Sequence, residues 1–146
     1  MIALHETDSP ARDRKEFAKK LARINSVLEF RSLLEQQAIQ DEWARSGFLT
    51  FKAGSPSSAM VIYEQLKRGK NLNLKQVFYS ELNLSVRFSL RNDFPEGIRA
   101  LLIDKDLKPN WQPATLEEVS KTDIETYFTP IWDTSEHPLH FLDSEI

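Results

Sequence analysis

Helix start and stop signals recur along this 146-residue chain, and they constrain its fold more than any other feature. Ser55-Pro56 places an N-cap residue before a proline at the first helical position, and Lys67-Arg68-Gly69 ends the same segment with cations and a glycine. Asn73-x-x-Gln76 and Asp93-x-x-Glu96 have the spacing of capping boxes. Because alternating strand patterns are few, the sequence predicts an all-α chain.

Apolar residues at helical spacing give each predicted helix a buried stripe. Helices are expected to begin at Ser9-Pro10, Ser26, Trp43, Ser55, Asn73, Asp93 and Ser120. The stripe predicted for the longest helix is Leu74, Val77, Phe78, Leu82 and Val86, and the next helix is expected to turn Phe94, Ile98, Leu101 and Leu102 inward. We therefore predict one domain over residues 1–128, with six or seven short helices in an irregular bundle, and an extended or frayed tail over 129–146.

Composition excludes several classes of function. The chain has no Cys, which rules out disulfides, thiolate metal sites and a Cys nucleophile. A net charge of −3 and the lack of an aromatic platform beside the basic residues of the first helix argue against nucleic-acid binding. No apolar run reaches membrane-spanning length and the first residues do not resemble a signal peptide, so a cytoplasmic protein without a membrane partner is expected.

The stretch from Asp93 to Trp111, DFPEGIRALLIDKDLKPNW, combines a helix start, an amphipathic helix and a lysine before a Pro-x-Trp exit. Together with PATLEEVSKTDIETYF at 113–128, it resembles the C-terminal end of the 3-hydroxyisobutyryl-CoA hydrolases, a branch of the enoyl-CoA hydratase/isomerase (crotonase) superfamily. DEWA at 41–44, Ser55-Pro56 and EQLKRG at 64–69 follow the order and spacing of that family's helical tail. The resemblance extends from about Phe17 to Phe128.

The resemblance implies CoA thioester hydrolysis in valine degradation, with a CoA thioester as substrate and no tightly bound cofactor. It also implies that the catalytic region is a larger, Gly-rich one without a counterpart here. This chain has four glycines, none adjacent and none in a G-x-G, so it offers no loop of amides for an oxyanion and no catalytic residue is expected. We expect a C-terminal helical portion that closes the CoA site and packs against a crotonase-type catalytic core, in the same or another chain, or against itself. A stand-alone, non-catalytic helical assembly module is the alternative.

Lys105 is the first candidate binding residue, because the resemblance implies that a lysine after this helix contacts the adenine or phosphate end of CoA. Lys108 is the second. A cation at a helix C-terminus is equally favoured by the helix dipole, and Asp104 and Asp106 are expected to pair with Lys105. Arg99 is expected to pair with Asp93 or Glu96 one turn away.

Other chemically suggestive residues have simpler explanations. Glu81 borders an apolar helix face, where a glutamate is far more often solvated or paired than catalytic. A thioesterase built on Glu81 or Lys105 alone would lack an oxyanion hole. His137 and His140 have one-turn spacing, but Pro138 separates them and no third ligand is nearby, so both are expected at the surface and no metal site is predicted.

Overall fold

The computed structural model describes residues 14–143, and every regular element in that range is helical. A π-helical turn (Arg99–Ile103) continues the sixth helix, and three 3₁₀ turns lie at Leu116–Glu118, Thr134–Glu136 and His140–Asp143. The α-helices are α1 (Lys15–Leu21), α2 (Val27–Gln37), α3 (Glu42–Ala53), α4 (Pro56–Gly69), α5 (Leu74–Ser89), α6 (Asp93–Ile98) and α7 (Lys121–Phe128). The all-α prediction is therefore confirmed, whereas the start signal at Ser9-Pro10 lies outside the described residues.

Two compact units divide the chain, with the boundary between Lys52 and Ala53 at the end of α3. The core of the first unit consists of Phe17, Leu34 and Ala44, with four partly buried side chains packed against them: Leu21, Phe30, Phe48 and Phe51. Phe30 and Phe51 meet edge to face, with ring centroids 5.2 Å apart. The boundaries of the single domain predicted over residues 1–128 stay a prediction.

The second unit packs α4, α5 and α7 around a core of its own. Val61 of α4 is completely buried against Leu84 of α5 and Ile124 and Tyr127 of α7. Met60 fills space at the edge of this cluster, as expected of a flexible thioether. The apolar faces of three helices thus supply the core packing of the second unit.

Local capping signals correctly predicted where several helices begin. The Asn73 side chain accepts from the Gln76 N–H, and the Gln76 side chain accepts from the Asn73 N–H, both at 2.9 Å. Ser55 accepts from the Ser58 N–H at 3.1 Å at the start of α4. Each of these bonds satisfies a backbone donor that the first turn of a helix leaves unpaired.

Two predicted apolar stripes are wrong in part. Leu74 and Phe78 of α5 are exposed, and the buried residues of that helix are Asn83 and Leu84, because α7 and the following segment cover that side of α5. Phe94, Leu101 and Leu102 are likewise exposed, whereas Ala100 is fully buried. The π turn adds about one residue per turn, so the α-helical period used to place Leu101 and Leu102 does not hold over Arg99–Ile103.

Residues 127–139 dock on α5 through a stripe of polar side chains. Tyr79, Asn83 and Arg87 lie four residues apart and therefore on one face of the helix. The Tyr79 hydroxyl, the Asn83 amide and the Arg87 guanidinium donate to backbone carbonyls of Leu139 (3.0 Å), Tyr127 (2.8 Å) and Thr129 (3.0 Å). Asn83 also accepts from the Ile131 N–H at 3.0 Å.

His137 is buried, so the prediction that it lies at the surface is wrong. Its ring stacks on Tyr79 with centroids 3.8 Å apart and meets the Trp132 ring edge to face at 5.2 Å. Its Nδ1 accepts from the Leu139 N–H at 3.1 Å. Tyr79, 58 positions earlier in the sequence, thus covers this histidine. The residues next to His137 in the sequence do not indicate this burial.

Candidate functional site

The site begins at α6, where Asp93 carries out a different task from the predicted capping box. Its buried carboxylate accepts from the Ser55 hydroxyl at 2.5 Å and from the Gln112 N–H at 2.9 Å. Asp93 is the first residue inside the helix, and the N-cap residue Asn92 makes no side-chain capping bond. The capping prediction fails because Ser55, 38 positions away, lies within reach of the carboxylate. Asp93 therefore joins the start of α4, α6 and the segment at Gln112 that follows the π turn.

A π-helical turn follows α6 and shapes the loop after it. The Asp104 N–H donates to the Arg99 carbonyl at 2.8 Å, which is an i to i+5 bond. The Leu107 N–H then donates back to the Ala100 carbonyl at 3.1 Å and closes the loop. In an α-helix, side chains five residues apart point in different directions, whereas this turn brings those of Arg99 and Asp104 together.

Arg99 is the centre of the loop, and each of its five N–H donors has an acceptor. Nε and Nη2 hold both oxygens of Glu96 at 2.9 and 2.8 Å. Nη1 donates to Asp104 at 2.6 Å and to Asp106 at 2.8 Å, and Nη2 also donates to the Lys108 carbonyl at 3.1 Å. The predicted pairing of Arg99 with Glu96 is confirmed, but it is one part of a larger network.

The electrostatics of this network follow from the guanidinium at its centre. The hydrogen bonds from Arg99, followed by that from the Asn110 N–H, lower the pKa of Glu96 to about 2. The same arginine, helped by the Lys108 N–H, lowers the pKa of Asp106, and the carboxylates in turn raise the pKa of Arg99. All of these groups are therefore charged at neutral pH, and their attractions hold the loop in one conformation.

Lys105 and Lys108 project from this loop with exposed side chains. Lys105 and Leu107 adopt left-handed backbone conformations, with φ of 55° and 56°. The expected pairing of Asp104 and Asp106 with Lys105 is wrong, because both carboxylates are bound to Arg99, whose planar fork offers them more donors than a lysine does. Contact of either lysine with CoA stays a prediction.

An open apolar groove of about 470 Å³ lies between the start of α4, the end of α5, α6 and the π turn, which leads into the lysine loop (residues 104–108). Phe94, Leu101 and Leu102 form its rim, and Trp111 forms one wall. The Trp111 Nε1–H donates to the Ala53 carbonyl at 2.9 Å, which fixes the indole. A Cβ added to Gly97 would lie 3.3 Å from the Trp111 ring, so the small residue allows this close approach.

Chemically, a groove of this kind beside two lysines suits a ligand that is apolar at one end and anionic at the other. The three polar residues along its lining are Ser55, Ser58 and Asp93. The Asp93 carboxylate already accepts the Ser55 hydroxyl, so the two form a structural bond between helices and not a nucleophile with its oriented base.

The remaining candidates have structural explanations. Glu81 accepts from the Gln65 side chain at 2.5 Å on an exposed face, which agrees with the expected paired role. No group of three His, Cys, Asp or Glu side chains suited to a metal ion occurs within residues 14–143. Over the same range, none of the helices combines the length and apolar character needed to span a lipid bilayer.

Comparison with known proteins identifies the segment that carries this site. A family model for enoyl-CoA hydratase/isomerase matches residues 2–128, most of the chain. The chain belongs to the enoyl-CoA hydratase/isomerase family. Within the family, it is similar to the mitochondrial 3-hydroxyisobutyryl-CoA hydrolases of Dictyostelium discoideum (38% identity over 114 residues) and Gallus gallus (38% over 123 residues). These matches cover 77% and 80% of the chain, but 29% and 32% of those proteins.

Solved structures of the family share the same helical arrangement. A carnitinyl-CoA dehydratase from Mycobacterium thermoresistibile matches with a TM-score of 0.74 and 28% identity, over 86% of this chain and 35% of that one. An enoyl-CoA hydratase from Rhodobacter sphaeroides matches with a TM-score of 0.70 and 25% identity, over 89% of this chain and 39% of that one. The chain thus spans about a third of the length of the relatives that it matches.

Sequence reasoning identified the segment but missed the residue at its centre. Arg99 was assigned a single partner one turn away, although acidic residues also follow it at positions 104 and 106. The signal in the sequence is the presence of four acidic residues within seven positions of one arginine, three of which bind it. The contact of Arg99 with Asp104 depends on the π turn, which no local sequence pattern predicts.

Proposed function

We propose that this chain is the C-terminal helical portion of an acyl-CoA thioester hydrolase resembling 3-hydroxyisobutyryl-CoA hydrolase, acting in valine degradation. In this proposal it helps to close the CoA site and packs against a crotonase-type catalytic core. It is not catalytically complete by itself. The observation that carries the proposal is the exposed apolar groove, whose lining residues Leu101 and Leu102 shortly precede the loop that carries Lys105 and Lys108.

The exposed apolar side chains support a missing partner. Phe94 (52% exposed), Leu102 (67%) and Leu107 (69%) surround the groove and loop, although water-facing apolar clusters are unfavourable in isolated proteins. Ile62, Leu66, Leu74 and Phe78 of α4 and α5 are also at least half exposed. Since the matched relatives are about three times longer, the remainder of such a protein is the partner that we propose to cover these residues.

The loop supports contact with an anionic group. Lys105 and Lys108 present two ammonium groups, and the neighbouring carboxylates of Asp104 and Asp106 are engaged by Arg99. Phosphate groups of CoA are suitable partners for such exposed cations, which bind them as point charges. We propose Lys105 as the main contact and Lys108 as the second.

Co-expression with a catalytic region is the direct test. The rest of the Dictyostelium discoideum relative, outside the part matched here, supplies a suitable core. CoA release from 3-hydroxyisobutyryl-CoA can be followed with a thiol reagent, which does not react with this chain because it has no Cys. We expect hydrolysis to require both chains and Leu102→Glu to prevent their co-purification. Turnover by this chain alone would refute the proposal.

CoA binding by the chain itself is a second test, suited to weak affinity. The amide signals of Lys105 and Lys108 in an NMR spectrum of the labelled protein are expected to shift on titration with CoA. Lys105→Met should reduce the shifts, whereas Lys121→Met, which removes another exposed lysine at the start of α7, should not. Equal effects of the two variants would mean non-specific attraction between charges.

A stand-alone assembly module is the second candidate, and one relative favours it. Small ribosomal subunit protein mS47 of Arabidopsis thaliana is 34% identical over 120 residues, which is 79% of this chain and 29% of that protein. Its name assigns that protein to a ribosomal subunit, so a similar helical portion exists in a protein named for an assembly. Sedimentation velocity decides between the two: a stable oligomer that ignores the added catalytic region would favour the module.

The compartment is a further proposal. A cytoplasmic location is our expectation for this chain, whereas the names of several relatives place those proteins in mitochondria. Cell fractionation followed by detection of the protein in mitochondria would contradict the expectation.

A further inference from the structure

We propose that Arg99 is a positioning residue, which keeps Lys105 available to a phosphate group by binding the carboxylates on either side of it. This inference rests on the proposed contact between Lys105 and CoA, and it assigns a role to a residue that does not itself touch the ligand. The arrangement of donors and acceptors within the loop supports it.

Lys105 lies between two aspartates, which would normally neutralise it. A lysine flanked by Asp104 and Asp106 has acceptors on both sides, and an ammonium group held by carboxylates is a poor partner for a phosphate. In the folded loop, both aspartates accept hydrogen bonds from Arg99 Nη1, at 2.6 and 2.8 Å. The other oxygen of Asp106 accepts from the Lys108 N–H at 2.8 Å, so each oxygen of that carboxylate has a partner other than Lys105.

Arg99 also sets the direction of the loop. Its bonds to Glu96 fix the guanidinium to α6, and its bond to the Lys108 carbonyl fixes the far end of the loop at 3.1 Å. Lys105, between these points, adopts a φ of 55°, which an unsupported lysine seldom populates. Since all five donors of Arg99 are used, no donor remains for a ligand, and its part in binding is exerted through Lys105.

The alternative is that Arg99 only stabilises the protein. Removing it would then weaken CoA binding by lowering the folded fraction, which asparagines at 104 and 106 would not restore. An effect of net charge alone would appear equally in Arg68→Gln, which removes the same charge. If Arg99 acts by occupying the aspartates, its loss lets them capture Lys105, and neutralising them restores binding. A rescue experiment separates the two explanations.

The experiment compares four forms of the full chain by NMR titration with CoA: wild type, Arg99→Gln, Arg99→Gln with Asp104→Asn and Asp106→Asn, and the control Arg68→Gln. Arg68 is matched, because its side chain is 35% exposed against 33% for Arg99 and it also bridges two carboxylates, those of Glu64 and Glu125. We expect Arg99→Gln to weaken CoA binding about 5-fold, the size of one exposed ion pair. The two asparagines should recover most of that loss, and Arg68→Gln should bind as wild type.

Titration with inorganic phosphate and with dephospho-CoA distinguishes the sources of the anion. A 5-fold effect that is equal for CoA and inorganic phosphate assigns the site to any phosphate, whereas an effect reduced with dephospho-CoA assigns it to the 3′-phosphate. Unchanged binding by Arg99→Gln, or no rescue by the asparagines, would overturn the inference.

A second readout does not depend on CoA. The Leu107 N–H, bonded to the Ala100 carbonyl at 3.1 Å, closes the loop, and its hydrogen exchange is expected to accelerate at least 10-fold in Arg99→Gln, but not in Arg68→Gln. If wild type fails to bind CoA while this exchange accelerates as expected, the proposed CoA contact is wrong and the positioning of the loop by Arg99 stands. Unchanged exchange at Leu107 would refute the positioning itself.

Discussion

Substitution of Asn83 by alanine tests the docking of the C-terminal segment most directly. The Asn83 side chain is buried and donates to the Tyr127 carbonyl at 2.8 Å while it accepts from the Ile131 N–H at 3.0 Å. Asn83→Ala leaves both backbone groups without that partner, at a cost of about 1–2 kcal/mol each. The better helix propensity of alanine returns about 0.6 kcal/mol. The expected net loss of unfolding free energy is therefore about 2–3 kcal/mol.

Urea denaturation followed by circular dichroism measures this loss. Ser85→Ala is the matched control, because Ser85 lies on the same helix, is exposed, and donates within the helix to the Glu81 carbonyl at 2.8 Å. The control is expected to change stability by less than about 0.5 kcal/mol. A loss below about 1 kcal/mol for Asn83→Ala would refute the reasoning, since it would mean that the segment finds equivalent partners without Asn83. Hydrogen exchange at the Ile131 amide reports the same event locally.

Three further predictions concern side chains that make other hydrogen bonds. The pKa of Glu96 is lowered to about 2 from 4.5, so the stabilisation from its ionised form is present above pH 4.5 and is lost as the pH falls toward 2. Glu96→Gln should therefore flatten the dependence of unfolding free energy on pH in that window. An unchanged slope would contradict the role of Arg99. Ser55→Ala should lower the unfolding free energy by about 2 kcal/mol in thermal or urea unfolding, because it removes both a helix cap and the hydroxyl bound to buried Asp93. Ser55→Thr, which keeps a hydroxyl, should restore part of that loss. Tyr79→Phe should keep the stack on the neighbouring histidine and cost about 1 kcal/mol in the same assay, and no measurable loss would mean that its hydroxyl bond contributes nothing.

The parts of the fold that sequence predicted are those determined by neighbours along the chain. Asn73 and Gln76 form their capping box because the two side chains and the two N–H groups lie within one turn. Ser55-Pro56 opens α4 for the same reason. The family resemblance likewise rests on a continuous stretch, Asp93 to Trp111, and the family match confirms it.

Features that depend on distant partners were not predictable in this way. Asp93 is drawn away from capping by Ser55, 38 positions earlier, and Tyr79 buries a histidine that local sequence places at the surface. The π turn is a third case, because its register is set by the fit of Ala100 into the interior and by the Arg99 network together. Each outcome depends on which groups meet after the helices pack, and the spacing of residues in the sequence does not contain that information.

The polar stripe on α5 has a consequence for the order of folding. Its bonds to the C-terminal segment join residues 42 to 60 positions apart, so closing them costs far more chain entropy than closing a helical turn. Contacts of this range form after the helix that templates them, and their removal is expected to speed unfolding while leaving the folding rate nearly unchanged. The segment after α7 is therefore expected to dock late in folding, and its bonds to α5 lengthen the time for which the protein stays folded.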